Sequence, residues 1–299
     1  MQNPAELYSL TDAAEGLTAT HLVVGLDGFV DAGGAARAAV DHLVSSLEHH
    51  IVAEFDIDLL LDYRARRPRL HTAENIVGSV AWRTLRLEVV TDLTGTQFLL
   101  LRGPEPDRAW QSFAAAVVGL AARFRVQTMV GMLALPAAAP HTRPITFLGT
   151  ATRRELLPDN GLRFGPMEVP GSMTAVLEYT FGQAGRDAMT LLPQVPNYIS
   201  SAEVPHAAAA LLERLGRVAE LSLPYDALLR AAEKLDELLA TELAQSEENR
   251  TMVTDLERQY DQSLLKLASG DNGEAILPTG DELARQFESF LAEHGEDDR

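Results

Sequence analysis

The densest group of residues that could do chemistry lies in one glycine-rich segment, residues 25–35, between an apolar run and an alanine-rich stretch. Glycines after a strand let the backbone approach a ligand, and the N-terminus of a following helix offers free N–H groups to an anion. The segment does not fit a phosphate loop, because Gly34 and Ala35 replace the required Lys and Ser or Thr. It also lacks the Gly-x-Gly-x-x-Gly pattern of dinucleotide sites. Two interpretations stay open: a tight turn in which an aspartate caps the helix, or a ligand or contact loop. The residues of that loop would be Asp27, Gly28, Asp31, Gly33 and Gly34.

A second candidate site is the arginine-rich stretch at residues 62–69, which is unusual in an acidic chain. Guanidinium groups pair in a fork with carboxylates or phosphates. Such a cluster either forms salt bridges within or between subunits, or it recognises a partner. We predict an interaction surface formed by Tyr63, Arg64, Arg66 and Arg67.

The third candidate is the loop at residues 139–144, where His141 and Arg143 stand between two predicted strands. A lone histidine in a loop is more often a hydrogen-bonded spacer than a base, but this loop could line a crevice together with the glycine-rich segment. Glu105 and Asp107 are interpreted as acids that stabilise the first turn of a helix.

Established catalytic patterns do not occur in the sequence. There is no Gly-x-Ser-x-Gly elbow, no His-Glu-x-x-His pair and no clustered spacing of metal ligands. We therefore predict no catalytic residue, no metal and no cofactor, and we leave enzymatic activity open.

Composition narrows the class of protein further. The 299 residues include 43 Asp and Glu against 25 Lys and Arg, a net charge of −18, and no Cys. An acidic chain is a poor nucleic-acid binder, and a chain without Cys has neither disulfides nor a thiol nucleophile. The sequence contains no run of 18 apolar residues, which is the length that a membrane-spanning helix needs. The expected location is the cytoplasm.

The pattern of apolar residues places these candidates on an α/β framework. Strand-like and helix-like segments alternate from residue 21 to residue 221, which predicts a mixed, mostly parallel sheet with helices on both faces. Ser172 is positioned to cap a helix over residues 173–181, and residues 59–70 are expected to form a polar loop. The predicted strands are 21–26, 51–55, 84–90, 97–102, 126–133, 144–148 and 187–192, and the other predicted helices are 31–47, 106–124 and 203–221.

The character of the chain changes near Pro224. Residues 224–299 hold 19 acids and 7 bases, a net charge of −12, and their first part has apolar residues at helical spacing. A polar stretch at 246–251 interrupts that spacing and predicts a helical hairpin. The expected organisation is an α/β core domain at 1–223 and an acidic helical extension, hairpin and tail, at 224–299.

Five segments together resemble the actinobacterial branch of the proteasome assembly chaperone 2 family. They are DGFVDAGGAA (27–36), EFDIDLLLDYRARRP (54–68), FLLLRGPEPDRAW (98–110), APHTRP (139–144) and LERQYD (256–261). The resemblance implies a core like the nucleoside phosphorylase/hydrolase fold, a helical C-terminal extension and self-association as a trimer. Eukaryotic relatives assist assembly of the proteasome core, and no catalytic residue can be carried over.

The chain also departs from that family at three places. Asn197 replaces the histidine of a Pro-His-Tyr sequence, and Leu148 stands where family members tend to have a histidine. The C-terminal residues lack the hydrophobic-Tyr-x ending by which some proteasome partners dock.

These observations favour a non-enzymatic assembly or interaction protein with a protein partner, such as a proteasome, and no nucleic acid or membrane partner. The alternative is a small-molecule-binding protein or enzyme that uses the crevice at the carboxyl ends of the strands, where open α/β sheets bind ligands. An ATP-dependent ligase is disfavoured because no phosphate loop is present.

Overall fold

The computed structural model describes residues 2–28, 30–157, 166 and 168–268. Within these ranges, no helix combines the length and the apolar character that crossing a membrane requires. The strands are β1 Tyr8–Leu10, β2 His21–Asp27, β3 His49–Phe55, β4 Arg69–Ala73, β5 Ile76–Ala81, β6 Arg86–Thr91, β7 Gln97–Pro104, β8 Thr128–Met132, β9 Leu135–Ala137, β10 Phe147–Ala151 and β11 Asp187–Pro196. The helices are α1 Ala35–Ser46, α2 Ile57–Leu60, α3 Trp110–Arg123, α4 Met173–Gln183, α5 Pro205–Ala219, α6 Asp226–Gln245 and α7 Glu247–Ala268.

The main sheet is mixed, with the strand order β1-β3-β6-β7-β2-β8-β11-β10 and β9 paired to β11. Its centre, β7-β2-β8-β11, is parallel, whereas β1, β3, β6 and β10 are added antiparallel. The register places Val23 of β2 opposite Leu100 on one side and Val130 on the other. The prediction of a mixed sheet in an α/β protein is confirmed.

Both faces of this sheet are covered by helices, which explains the continuous apolar run in β2. Leu22 and Val24 point into a core shared with α3 and α4, whereas Val23 points into a second core shared with α1 and α5. In a strand that is buried on both faces, apolar residues do not alternate with polar ones, because neither face meets water. The prediction of helices on both faces is therefore also confirmed.

The expected polar loop at residues 59–70 is wrong at both ends. Asp56 accepts a hydrogen bond from the Asp58 N–H (3.0 Å) and starts the short helix α2, and β4 begins at Arg69 and pairs with β5 as a separate hairpin. Glu74 and Asn75 form the tight turn between those strands with φ of 51° and 65°. A Glu-Asn pair is not the usual sequence of such a turn, which explains why the pattern missed the hairpin.

Two other boundaries differ from the sequence-based expectation. The helix expected over 106–124 begins at Trp110, because Ala109 takes a left-handed conformation (φ 55°) before it. The strand expected over 144–148 lies at Phe147–Ala151. The Ser172 cap is confirmed, since its hydroxyl accepts a hydrogen bond from the Ala175 N–H (3.2 Å).

The helical extension packs against the core through α6. Leu228 and Leu235 contact the core cluster that α5 shares with the sheet. Helix α6 ends at Gln245, Ser246 separates the two helices, and α7 begins at Glu247. The polar stretch that was expected to form a turn is therefore mostly the first part of α7. The division at residue 224 stays a proposal, and residues 269–299 of the predicted tail lie outside the described residues.

Candidate interaction site

The glycine-rich segment forms a tight turn whose geometry is fixed by backbone pairing. Asp31 accepts hydrogen bonds from the N–H groups of Ala36 (2.7 Å) and Arg37 (3.1 Å), so it caps α1, as one of the two interpretations required. Burial raises the pKa of Asp31, and these N–H groups offset the rise in part. Gly33 and Gly34 have φ of 66° and 57°, a region that side chains disfavour.

Gly33 is also held by the segment that follows β11. Its N–H donates to the Ser200 carbonyl (2.6 Å), and the Val204 N–H donates to the Gly33 carbonyl (2.9 Å). A β-carbon on Gly33 would lie 2.8 Å from the Val204 side chain. The glycines therefore serve close packing within the protein.

The same loop closes part of the crevice at the carboxyl ends of the parallel strands. The Ala32 N–H donates to the Ala134 carbonyl (3.1 Å), and the Ala134 N–H donates to the Val30 carbonyl (3.2 Å). These bonds join the β2–α1 loop to the chain that leaves β8. Backbone groups that pair with each other here are not available to a ligand.

Asp27 and Gly28 adjoin a buried carboxylate. Glu105 is 6% exposed, its N–H donates to the Asp27 carbonyl (2.9 Å), and a β-carbon on Gly28 would lie 3.0 Å from Glu105 Oε2. Glu105 accepts a hydrogen bond from the Met173 N–H at the start of α4. Burial raises the pKa of Glu105, and this bond and the nearby Arg66 offset the rise only in part.

The interpretation of Glu105 and Asp107 as acids of the next helix is therefore corrected. Glu105 stabilises the start of α4, which is distant in sequence, and Asp107 accepts a hydrogen bond from the Asp62 N–H (2.7 Å). Sequence spacing could not show this, because both partners come from other parts of the chain.

The predicted arginine surface separates into two kinds of residue. Arg66 donates to the Glu105 carbonyl (2.7 Å), and its Nε lies 3.3 Å from Asp107 Oδ1, so this half-buried side chain is bound to another part of the same chain. Arg64 and Arg67 are exposed, and neither side chain forms an ion pair with any residue that the structure describes.

Tyr63 joins this loop to the β4–β5 hairpin. Its hydroxyl donates to Asp58, which raises the pKa of Tyr63 to about 12, and its ring meets Trp82 edge-on with centroids 5.5 Å apart. A cavity of about 400 Å³ lies beside these two aromatic rings. The arginine loop and the hairpin therefore form one continuous surface.

Every residue of β4 and β5 is exposed, although the strands carry large apolar side chains. Trp82, directly after β5, is 56% exposed. We call this surface, together with Arg64 and Arg67, the hairpin surface. Its apolar members are Leu70, Ile76, Val77, Val80 and Trp82. A two-stranded hairpin that packs on nothing is marginal in water.

His141 lies at a different place from the arginine loop. The backbone N–H of His141 donates to the Tyr198 hydroxyl (2.8 Å), and the ring nitrogen Nδ1 of His141 lies 2.6 Å from the same oxygen. Burial lowers the pKa of His141; Asp236 and Glu257 oppose this shift and His206 adds to it. Tyr198 was not among the predicted site residues, although it is the tyrosine of the Pro-Asn-Tyr sequence that stands where the family has Pro-His-Tyr.

The His141 loop meets the glycine-rich segment only indirectly. Tyr198 holds His141, and Ser200, two residues later, holds Gly33. Of the predicted crevice residues, His141 and Gly33 therefore contact the segment 197–204, whereas Asp27 and Gly28 lie beside Glu105.

Arg143 fastens the core to α7. Its guanidinium donates to both carboxylate oxygens of Asp261 (2.9 Å each) and to Glu257 (3.1 Å). The Tyr260 hydroxyl donates to the Pro144 carbonyl (2.9 Å). Two of the segments that carry the family resemblance, APHTRP and LERQYD, thus contact each other.

Within the described ranges, no group of three or more His, Asp or Glu residues is arranged to hold a metal ion. The described residues present an exposed apolar and cationic surface on the hairpin and loops that bind one another. These are features of a protein that contacts other proteins.

Comparison with known proteins agrees with this class. The chain belongs to the PAC2 family, whose model matches residues 25–243. It is similar to a Mycobacterium tuberculosis protein of unknown function, with 36% identity, a TM-score of 0.86, and coverage of 96% of this chain and 99% of that one.

Two further relatives have solved structures. A Corynebacterium glutamicum protein of unknown function is 35% identical, with a TM-score of 0.82 and coverage of 87% of this chain and 98% of that one. A proteasome-assembly chaperone homologue from M. tuberculosis is 27% identical, with a TM-score of 0.72 and coverage of 79% and 99%. No curated protein matches the sequence.

Proposed function

We propose that this protein is a non-enzymatic assembly or interaction protein that works as a homo-oligomer, a trimer by family resemblance, and contacts a proteasome or another protein partner. The observation that carries the proposal is the hairpin surface, where apolar side chains from both strands are open to solvent. The M. tuberculosis relative described as a proteasome-assembly chaperone homologue supports the same class. The cytoplasmic location stays a prediction of the sequence.

The composition of the hairpin surface suits a protein partner. Leu70 of β4 lies directly opposite Val80 of β5, and they are 58% and 37% exposed. Burying such a pair favours association, and the neighbouring Arg64 and Arg67 supply cations at the rim. A partner surface with apolar residues and carboxylates would match it, and the acidic extension of a second copy has such carboxylates.

The alternative, an enzyme that uses the crevice at the strand ends, has less support. The glycine-rich loop uses its backbone groups in bonds to Ala134 and Ser200, and Asp31 uses its carboxylate to cap α1. These groups hold the fold together, so they are not free for substrate.

The test replaces the cross-strand pair by Leu70→Thr and Val80→Thr in one variant. Threonine suits a strand, so the hairpin persists while its apolar area falls. We expect light scattering to report an oligomer for the wild-type protein and a lower mass, approaching the 32.5 kDa protomer, for the variant. Affinity capture from the native cells should lose partners in parallel.

The matched control is Leu93→Thr, since Leu93 is also a large exposed apolar residue (62%) but lies in the β6–β7 turn. A wild-type protein that is monomeric would overturn the homo-oligomer, and a double variant with unchanged mass and unchanged partners would exclude the hairpin surface as the interface.

A further inference from the structure

A second cavity, of about 500 Å³, lies on the face of β3 and β6 and is separate from the hairpin surface. We call it the sheet groove. The turn that follows β1 lies along one side of it. Its charged and titratable lining residues are Asp12, His49, His50, Arg86, Glu88 and Arg102.

Two arginines stand directly opposite each other in this groove. The register of β6 and β7 pairs Arg86 with Arg102, which places both side chains on the same face of the sheet. Side chains in such a pair have β-carbons roughly 5 Å apart, and like charges there repel each other. The arrangement needs negative charge close by.

Each guanidinium has one carboxylate partner, on a neighbouring position of the sheet. Arg102 donates from Nε and Nη2 to the two oxygens of Glu88 (2.9 and 2.8 Å). Arg86 donates from Nε and Nη2 to one oxygen of Glu54 (3.0 and 2.9 Å). The Nη1 group of each arginine has no acceptor among the described residues.

A gain in folding stability does not explain why the sheet has the Glu88–Arg102 ion pair at this position. Glu88 is 1% exposed, whereas its partner Arg102 is 24% exposed and lines the groove. Removing a carboxylate from water costs about as much as the ion pair returns, so an apolar pair would serve the sheet equally well. What the buried carboxylate does is fix the orientation of the Arg102 guanidinium.

We propose that the sheet groove binds a small molecule through a carboxylate that bridges Arg86 and Arg102. The two oxygens of a carboxylate can accept from both Nη1 groups at once, so a ligand carboxylate would give each of these groups an acceptor. Glu88 is a positioning residue in this site. The proposal is independent of the hairpin surface and of any oligomer.

Titration calorimetry on the full chain with succinate tests the site, with inorganic phosphate as the second probe. We expect saturable binding of one succinate per chain and weaker binding of phosphate. The paired variant Glu88→Gln with Arg102→Gln removes the guanidinium without leaving a buried carboxylate alone, and should weaken succinate binding by ~10-fold or more.

Arg86→Gln provides a second variant that leaves the buried pair intact, so that a folding defect in the first does not decide the matter. It should weaken succinate binding to a similar degree, whereas Arg217→Ala, which breaks an exposed pair on α5, should leave it unchanged. Absence of saturable succinate binding, tighter binding of phosphate than of succinate, or unchanged affinity in Arg86→Gln would each overturn the proposal.

Discussion

Alanine substitution of Arg66 should lower the stability of the protein, whereas substitution of its exposed neighbours Arg64 and Arg67 should affect association and leave stability nearly unchanged. Arg66 is tied to the chain that leaves β7, through the Glu105 carbonyl at 2.7 Å and the Asp107 carboxylate at 3.3 Å. Arg64 and Arg67 have no ion-pair partner among the described residues. The three therefore allow a structural arginine to be separated from surface arginines within one loop.

The expected cost of Arg66→Ala follows from these two contacts. A hydrogen bond that involves a charged group contributes roughly 1.5–3 kcal/mol when its partner stays buried. The side chains of Arg66 and Asp107 are 25% and 21% exposed, so solvent reduces the ion-pair contribution only in part. We expect the free energy of unfolding to fall by about 2 kcal/mol.

The double variant Arg64→Ala with Arg67→Ala should change the free energy of unfolding by no more than ~0.5 kcal/mol. Urea unfolding followed by circular dichroism measures both variants, at one fixed protein concentration because association adds to apparent stability. The double variant should instead lose partner capture or oligomer mass. Equal stability of Arg66→Ala and the double variant would refute the assignment of Arg66 as an internal residue.

Three further outcomes are expected. Asp31→Ala should lower the free energy of unfolding by ~1 kcal/mol, measured by urea unfolding, because α1 loses its cap; an unchanged midpoint would contradict the capping role. Arg143→Ala should speed hydrogen exchange in α7 while the sheet is unaffected, since the fork to Asp261 is lost; equal exchange in α7 would show that other contacts hold it. Burial raises the pKa of Asp92, but N–H groups of Ser222, Thr96 and Thr94 outweigh this and keep the pKa below its usual 3.8. The ionised Asp92 carboxylate therefore stabilises the folded protein above pH 3.8, and this contribution is lost as the pH falls below that value. Between pH 5 and pH 3, the thermal unfolding of Asp92→Asn should depend less on pH than that of the wild-type protein. Parallel curves for the two proteins would contradict this.

The family resemblance acquires a physical explanation from these contacts. The segments at 139–144 and 256–261 bind each other through Arg143 and Tyr260, and the segments at 54–68 and 98–110 meet where Arg66 contacts Glu105. Segments that resemble a family in order along the chain are here the segments that fasten one element to another.

Patterns local to the chain were sufficient for several features. The apolar run in β2, the alternation of strands and helices and the Ser172 cap all depend on neighbouring residues, and each was predicted correctly. The cap by Asp31 was one of two interpretations that the sequence left open. The break in the helical extension was predicted within a few residues, because the apolar spacing stops where α6 ends at Gln245.

Other features depended on residues far apart in sequence. The sequence determined an α/β protein of the PAC2 type with a helical extension, since hydrophobic periodicity and segment resemblance are properties of the chain itself. Only the tertiary structure decided that Glu105 stabilises α4, that Arg66 is internal while Arg64 and Arg67 are exposed, and that Arg86 faces Arg102 across two strands. The physical reason is that the role of a charged side chain is set by the partner that folding places beside it, and pairings over such separations leave no local pattern to read.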